Sequence, residues 1–192
     1  MAAGRERLRK LLTAHPVKAA RELLGWELTR TLPEGEVVVC RVVETEAYYE
    51  SEPGCHAHRG VTERNKAMFM RAGHAYIYFI YGVHHCLNVV CGGEGEGAAV
   101  LVRAAEPVTP SGLRLSGPGV LCRTLSIDRQ LYAVDLLDSA SPLRLRQKKL
   151  RRGETVSTSP RIGLSPNQSP NLPWRFFVAK NRYVSSRKAA RK

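Results

Sequence analysis

The sequence predicts a mixed α+β fold: one domain with a curved, largely antiparallel β-sheet, flanking helices and a protruding β-hairpin. Three observations lead there. Leucines at helical spacing open the chain and stop at Gly25, which reads as two short helices. The β-rich runs that follow are joined by turns, among them Pro33-Glu34-Gly35 and the one at Gly82, of the length that joins antiparallel neighbours. With 192 residues, 43% hydrophobic and 24% charged, the chain suits a single ordinary core, without internal repeat or low-complexity segment.

In chain order, Leu8, Leu11 and Leu12 mark a helix within Glu6 to Ala14. Pro16 then starts a second helix in its first turn, and Gly25 closes it. Trp26 to Arg30 alternates as a strand, and Glu36 to Thr45 returns antiparallel to it. Continued with an unbroken two-residue period, that strand puts Val38, Cys40, Val42, Glu44, Glu46 and Tyr48 on one face, a polar edge to an apolar sheet. Ser51 to Thr62 has no period and reads as a loop. Tyr76 to Val90 reads as a hairpin with Tyr81 near its tip. Ala98 to Val102 is a continuous apolar strand that ends in Arg103.

Glu106 to Gly119, rich in Pro, Ser and Gly, leads to a helix predicted over Val120 to Ser126. Pro142 to Arg152 is strand-like and carries six basic residues, which suit either a solvated edge or a rim that contacts phosphates. Pro160 to Pro173 is an irregular loop, and Trp174 to Ala179 a last strand. The domain is taken as residues 1–192, with frayed basic termini expected at 1–5 and 187–192.

Charge narrows the partner. Thirty Lys and Arg against 17 Asp and Glu give a formal net charge of +13, which favours a polyanion, because each phosphate neutralised releases condensed counterions. No apolar run is long enough to span a membrane, and Met1 to Arg7 lacks the apolar core of a signal peptide. A soluble cytoplasmic protein is expected, associated with the nucleoid if bacterial. Five cysteines are then expected to be free thiols, and the Cys55-His56-Ala57-His58 run matches no familiar zinc spacing.

The motifs point further. Val43-Glu-Thr-Glu-Ala-Tyr48, Cys55-His-Ala-His-Arg-Gly60, Arg64-Asn65, Met68-Phe69, the Tyr-x-Tyr-x-x-Tyr-Gly of 76–82, Leu87-Asn88 and the Arg103 segment occur in that order. Together they resemble the alkyladenine (3-methyladenine) DNA glycosylase family, with weaker similarity through Gly117-Pro118-Gly119 to Arg175-Phe176-Phe177-Val178. Two departures stand out: relatives have a longer segment where only Val108 to Ser116 remains, and they tend to carry lysine at Val120. Both bear on backbone phosphate contacts.

The resemblance implies a monofunctional enzyme that flips alkylated purines from duplex DNA and excises them by hydrolysis, initiating base excision repair. Glu46 would activate the water and Arg103 would help to fix it. Tyr48, His56 and Tyr78 would stack on the base, Asn88 would sit beside the purine 2-position, and Tyr81 would fill the gap left in the duplex. These residue types suit that chemistry: aromatic rings attract a cationic base, and such a base leaves as a neutral molecule without a general acid. Glu44 rivals Glu46, His58 rivals His56, and Tyr81 also suits a packing role in the hairpin. No metal or organic cofactor enters the scheme, and a monomer is the simplest assembly. None of the eight lysines lies in the pocket motifs, so water rather than a Schiff base is the expected nucleophile. The alternative function is a damage-flipping or nucleic-acid-binding protein without catalysis, for which the carboxylate at Glu46 would have no use.

Overall fold

The computed structural model describes residues 2–80 and 82–185. Helix α1 runs over Ala2–Leu12 and α2 over Pro16–Glu22. The expected frayed arm at 1–5 is therefore helical from Ala2, and Arg5 reaches Asp135 at 3.7 Å and Asp138 at 3.4 Å. The basic tail at 187–192 lies outside the described residues. Gly25 ends the helical pair with a φ of +89°, and a Cβ there would meet the Lys149–Leu150 peptide at 3.1 Å, so both conformation and space demand glycine.

Eight strands follow among the described residues: β1 (Glu27–Thr31), β2 (Val37–Tyr49), β3 (Ala75–Ile80), β4 (His84–Val90), β5 (Ala98–Thr109), β6 (Leu143–Arg146), β7 (Val156–Ser159) and β8 (Arg175–Val178). They form one antiparallel sheet in the order β3-β4-β5-β2-β1-β6, with β8 joining β2 and β7. The molecule is thus the mixed α+β domain expected. Helix α3 (Pro118–Thr124) starts two residues before the predicted helix, because Pro118 is preorganised for a first helical turn. The carbonyls just past its end, Leu125 O and Ser126 O, accept bonds from Arg30 at 3.0 and 3.1 Å.

The sheet forks along β2. On one edge β2 pairs with β5; on the other it pairs with β1 through residues 37–41 and with β8 through 44–46. At the fork the β2–β5 register slips twice, with Val42 opposite Ala105, Glu44 opposite Ala104 and Thr45 opposite Val102. Val43 is therefore an extra residue on β2, and Arg103 an extra residue on β5. This corrects the unbroken alternation. Val38, Cys40 and Val42 enter the main core, but beyond the bulge it is Ala47 that does so, and Thr45 bonds Ala20 O of α2 at 2.8 Å. Glu44, Glu46 and Tyr48 consequently face away from the core that Val42 enters. Bulges redirect side chains in this way beside functional sites.

Strand β5 also continues past Arg103 to Thr109. Pro107 is tolerated where a further register shift, between Val39 and Cys40, relaxes the ladder. Of the basic 142–152 stretch only Leu143–Arg146 is strand, at the end of the sheet opposite the β3–β4 hairpin. Lys148 lies 3.8 Å from Glu27 and Arg151 2.8 Å from Glu106, as in a charge-paired edge.

Candidate active site

On the face that the bulge exposes lies a cleft of about 490 Å³. The ends of β2, β3, β4 and β5 form its floor, the start of α3 one wall, and the loop at 162–168 another. Gly119 lets α3 come this close: a Cβ there would sit 2.8 Å from His84 Cγ.

Beneath the cleft, Glu46 has no exposed surface. Its Oε2 accepts the Tyr48 hydroxyl at 2.9 Å and Arg103 Nη1 at 3.1 Å, and its Oε1 accepts the Ile162 N–H at 2.8 Å. Glu44 is equally buried but tied off differently. Oε1 accepts Arg103 Nε at 3.0 Å, Arg175 Nε at 2.7 Å and the Ser185 hydroxyl at 2.7 Å, while Oε2 accepts the Ser185 N–H at 2.6 Å. Arg103 bridges the two carboxylates. Burial opposes its charge, but Glu46 and Glu44 outweigh that and hold the guanidinium pKa above its usual value. The Tyr48 hydroxyl is pushed well up, by burial first and by Glu46 second, so it remains a donor.

The aromatic side is built from the loop and the hairpin. His56 lies 4.5 Å, centroid to centroid, from Tyr78, and its Nδ1 is 2.8 Å from the Tyr76 hydroxyl. Enclosure by these rings, with Arg64 nearby, depresses the imidazole to about 4, so the ring is neutral at pH 7. Burial raises the Tyr78 hydroxyl, with Cys86 adding to the effect. Asn88 is buried, and its amide donates to Tyr76 O at 3.1 Å. His58 turns outward to Glu50 O at 2.9 Å and does not line the cleft, whereas His56 does. Among the described residues, no group of three or more His, Cys, Asp and Glu converges as metal ligands would.

The chain matches the family model described as methylpurine-DNA glycosylase (MPG) over residues 10–182. It belongs to that family. Three relatives are all named "Putative 3-methyladenine DNA glycosylase". The one from Herpetosiphon aurantiacus is 43% identical, with 89% of this chain and 84% of the relative covered. For Carboxydothermus hydrogenoformans the values are 41%, 88% and 92%, and for Streptomyces avermitilis 41%, 92% and 89%.

Of the site residues of this glycosylase-family chain read from sequence, Tyr48, His56, Tyr78, Asn88 and Arg103 line the one cleft, and Glu46 lies directly behind it. Tyr81 lies outside the described residues; β3 ends at Ile80 and β4 begins at His84 on either side of the turn. Sequence reasoning passed over Tyr76 and Met68, although both lie in motifs it used. It also missed Ile162, whose contribution is a backbone N–H in an irregular loop and leaves no signal in residue type.

Proposed function

We propose that this chain is a monofunctional DNA glycosylase that flips alkylated purines of the 3-methyladenine and 7-methylguanine type out of duplex DNA and hydrolyses their bond to the sugar. One observation carries the reading: a fully buried carboxylate, Glu46, is held by a tyrosine hydroxyl, an arginine and a backbone N–H directly behind an aromatic cleft. The cleft's volume of about 490 Å³ suits a single small ligand.

In this reading Tyr48 takes one face of the base, and His56 with Tyr78 the other, each stacked base gaining roughly 1–3 kcal/mol. A neutral His56 adds no charge against a cationic base. Three accepted bonds leave Glu46 room to accept a hydrogen from water, and Arg103 orients that water. The water oxygen bonds to C1′, its proton goes to Glu46, and the glycosidic electron pair leaves with the base, which an N3 or N7 alkyl group makes neutral on departure. Asn88 is assigned to the purine 2-position, against the extra amino group of guanine. Tyr81 is assigned to the space vacated in the duplex, acting as a wedge.

Among the described residues no lysine lines the cleft, which supports water as the nucleophile. The test is incubation with methylated duplex DNA in EDTA, with free base and strand integrity both followed. Release of methylpurine with an intact abasic strand and no borohydride-trapped adduct is expected; tight binding without release would leave only a damage-binding protein. For the wedge, Tyr81→Ala should slow release more from a paired lesion than from a mismatched one, since an unpaired base costs less to extrude. Equal losses on the two duplexes would make Tyr81 a packing residue.

A further inference from the structure

Arg161 lies behind Tyr48. Its guanidinium carbon is 4.7 Å from the Tyr48 ring centroid and 5.4 Å from that of Trp174. The side chain has no exposed surface, and it does not line the cleft that Tyr48 lines, so it occupies the far side of the ring. Glu52, also buried, meets it with both oxygens: Nη1 donates to Oε1 at 2.6 Å and Nη2 to Oε2 at 2.8 Å. The same guanidinium donates to Ala47 O at 3.1 Å and reaches Ser169 O at 3.4 Å, tying the end of β2 to the loop that walls the cleft. A cation therefore holds the wall in place, yet it presses on the back of the ring whose front would receive a cationic base.

We propose that the Glu52–Arg161 pair determines specificity: Glu52 cancels the charge behind Tyr48, and that cancellation is what allows the cleft to take cationic alkylpurines. The proposal rests on the glycosylase reading above. An aromatic face attracts a cation through its quadrupole, and an uncompensated cation on the opposite face works against that attraction. In a site of low effective dielectric, a full charge one ring away alters binding or rate by on the order of tenfold. Neutralisation by a carboxylate that is itself buried removes the repulsion without removing the anchor.

The experiment measures single-turnover release of N7-methylguanine from duplex DNA, with affinity for a duplex carrying a tetrahydrofuran abasic analogue as the reference that places no base in the cleft. Glu52→Gln should slow release about tenfold while abasic-site affinity stays within about twofold. The double variant Glu52→Gln/Arg161→Gln removes the charge altogether and should recover to within about threefold of wild type. Release by Glu52→Gln at the wild-type rate, or a double variant as slow as Glu52→Gln, overturns the proposal; the second result would make the pair a purely positional anchor. If thermal melting shows Glu52→Gln to be unfolded, Arg161→Gln, which leaves the Glu52 carboxylate uncompensated, is compared with the double variant. Faster release by the single variant supports the charge role, and equal or slower release overturns it. A wild-type protein that releases no methylated purine would refute the glycosylase reading itself, an outcome distinct from all of these.

Discussion

Glu44 and Glu46 stand two residues apart on β2, are equally buried and share Arg103, yet their surroundings differ in kind. Around Glu44, Arg175 of β8 and both the hydroxyl and the N–H of Ser185 complete the coordination, and apart from the shared Arg103 none of its donors lines the cleft. Around Glu46, Tyr48, Arg103 and Ile162 all line the cleft. Burial and charge pairing therefore do not separate Glu46, the carboxylate proposed as the general base, from its neighbour Glu44. What distinguishes them is whether the partners border a space that substrate can enter. Two guanidiniums facing two carboxylates also keep the buried cluster neutral, which lets Arg103 hold Glu46 without leaving a bare charge behind.

The largest effect should come from the Glu46 side. Glu46→Gln keeps the size of the side chain but removes the base, and should lower methylpurine release about 10²–10⁴-fold, with abasic-analogue affinity changed only a few-fold. Turnover close to wild type would move the general base elsewhere. Glu44→Gln should do the reverse: breaking a buried charged cluster typically costs about 3–5 kcal/mol of stability, seen as a lower urea midpoint, while the folded fraction loses far less activity than Glu46→Gln does. Rate losses of equal size in the two variants would erase the distinction between the carboxylates.

How much of this was legible in the sequence follows the same division. The strands carrying the site were readable because Tyr76 to Val90 and Ala98 to Val102 have clear β patterns, and the cleft residues came from motifs placed on them. The bulge was not readable. Val42-Val43-Glu44 looks like any alternating run, and the extra residue appears only when β2 is laid against β5, with Arg103 slipping in compensation. Residue pattern alone did not separate Glu44 from Glu46, and the choice of Glu46 came from the family resemblance, since the donors that tie off Glu44 come from Arg175 and Ser185, far along the chain. Strand β7 was missed because Val156–Ser159 is short, mostly polar and only half-buried, and is held by β8 rather than by its own pattern.

A finer pair of substitutions removes one hydroxyl from each carboxylate. Tyr48→Phe takes a donor from Glu46 Oε2 but keeps the ring proposed to stack, and should slow release roughly ten- to a hundredfold, in line with the loss of about 1.5–3 kcal/mol for a hydrogen bond to a charged group. Ser185→Ala takes one donor from Glu44 Oε1 and leaves the Ser185 N–H in place, so it should lower stability by about 1 kcal/mol with release unchanged within about twofold. A rate loss in Ser185→Ala as large as that in Tyr48→Phe would show that Glu44 reports on the cleft after all.

The smallest expected effect concerns the opposite wall, where His56 carries no charge at pH 7. Its folded-state pKa is lowered to about 4 from 6.5, first by enclosure against the neighbouring rings and then by Arg64. The sign follows from proton counting. Between pH 6.5 and about 4 the unfolded chain binds a proton that the folded ring refuses, so this histidine lowers stability as pH falls through that window and adds no further loss below it. Because His56 is exposed within the cleft, solvent screens part of the penalty, and the change should be modest. Urea unfolding of wild type and His56→Gln at pH 7 and pH 4.5 isolates it, since the carboxylates titrate alike in both proteins and cancel in the difference. The stability of wild type relative to His56→Gln should be greater at pH 7 than at pH 4.5. An unchanged or reversed difference would mean that the imidazole accepts its proton in the folded cleft as readily as in water, and that the wall facing Tyr48 becomes cationic on mild acidification.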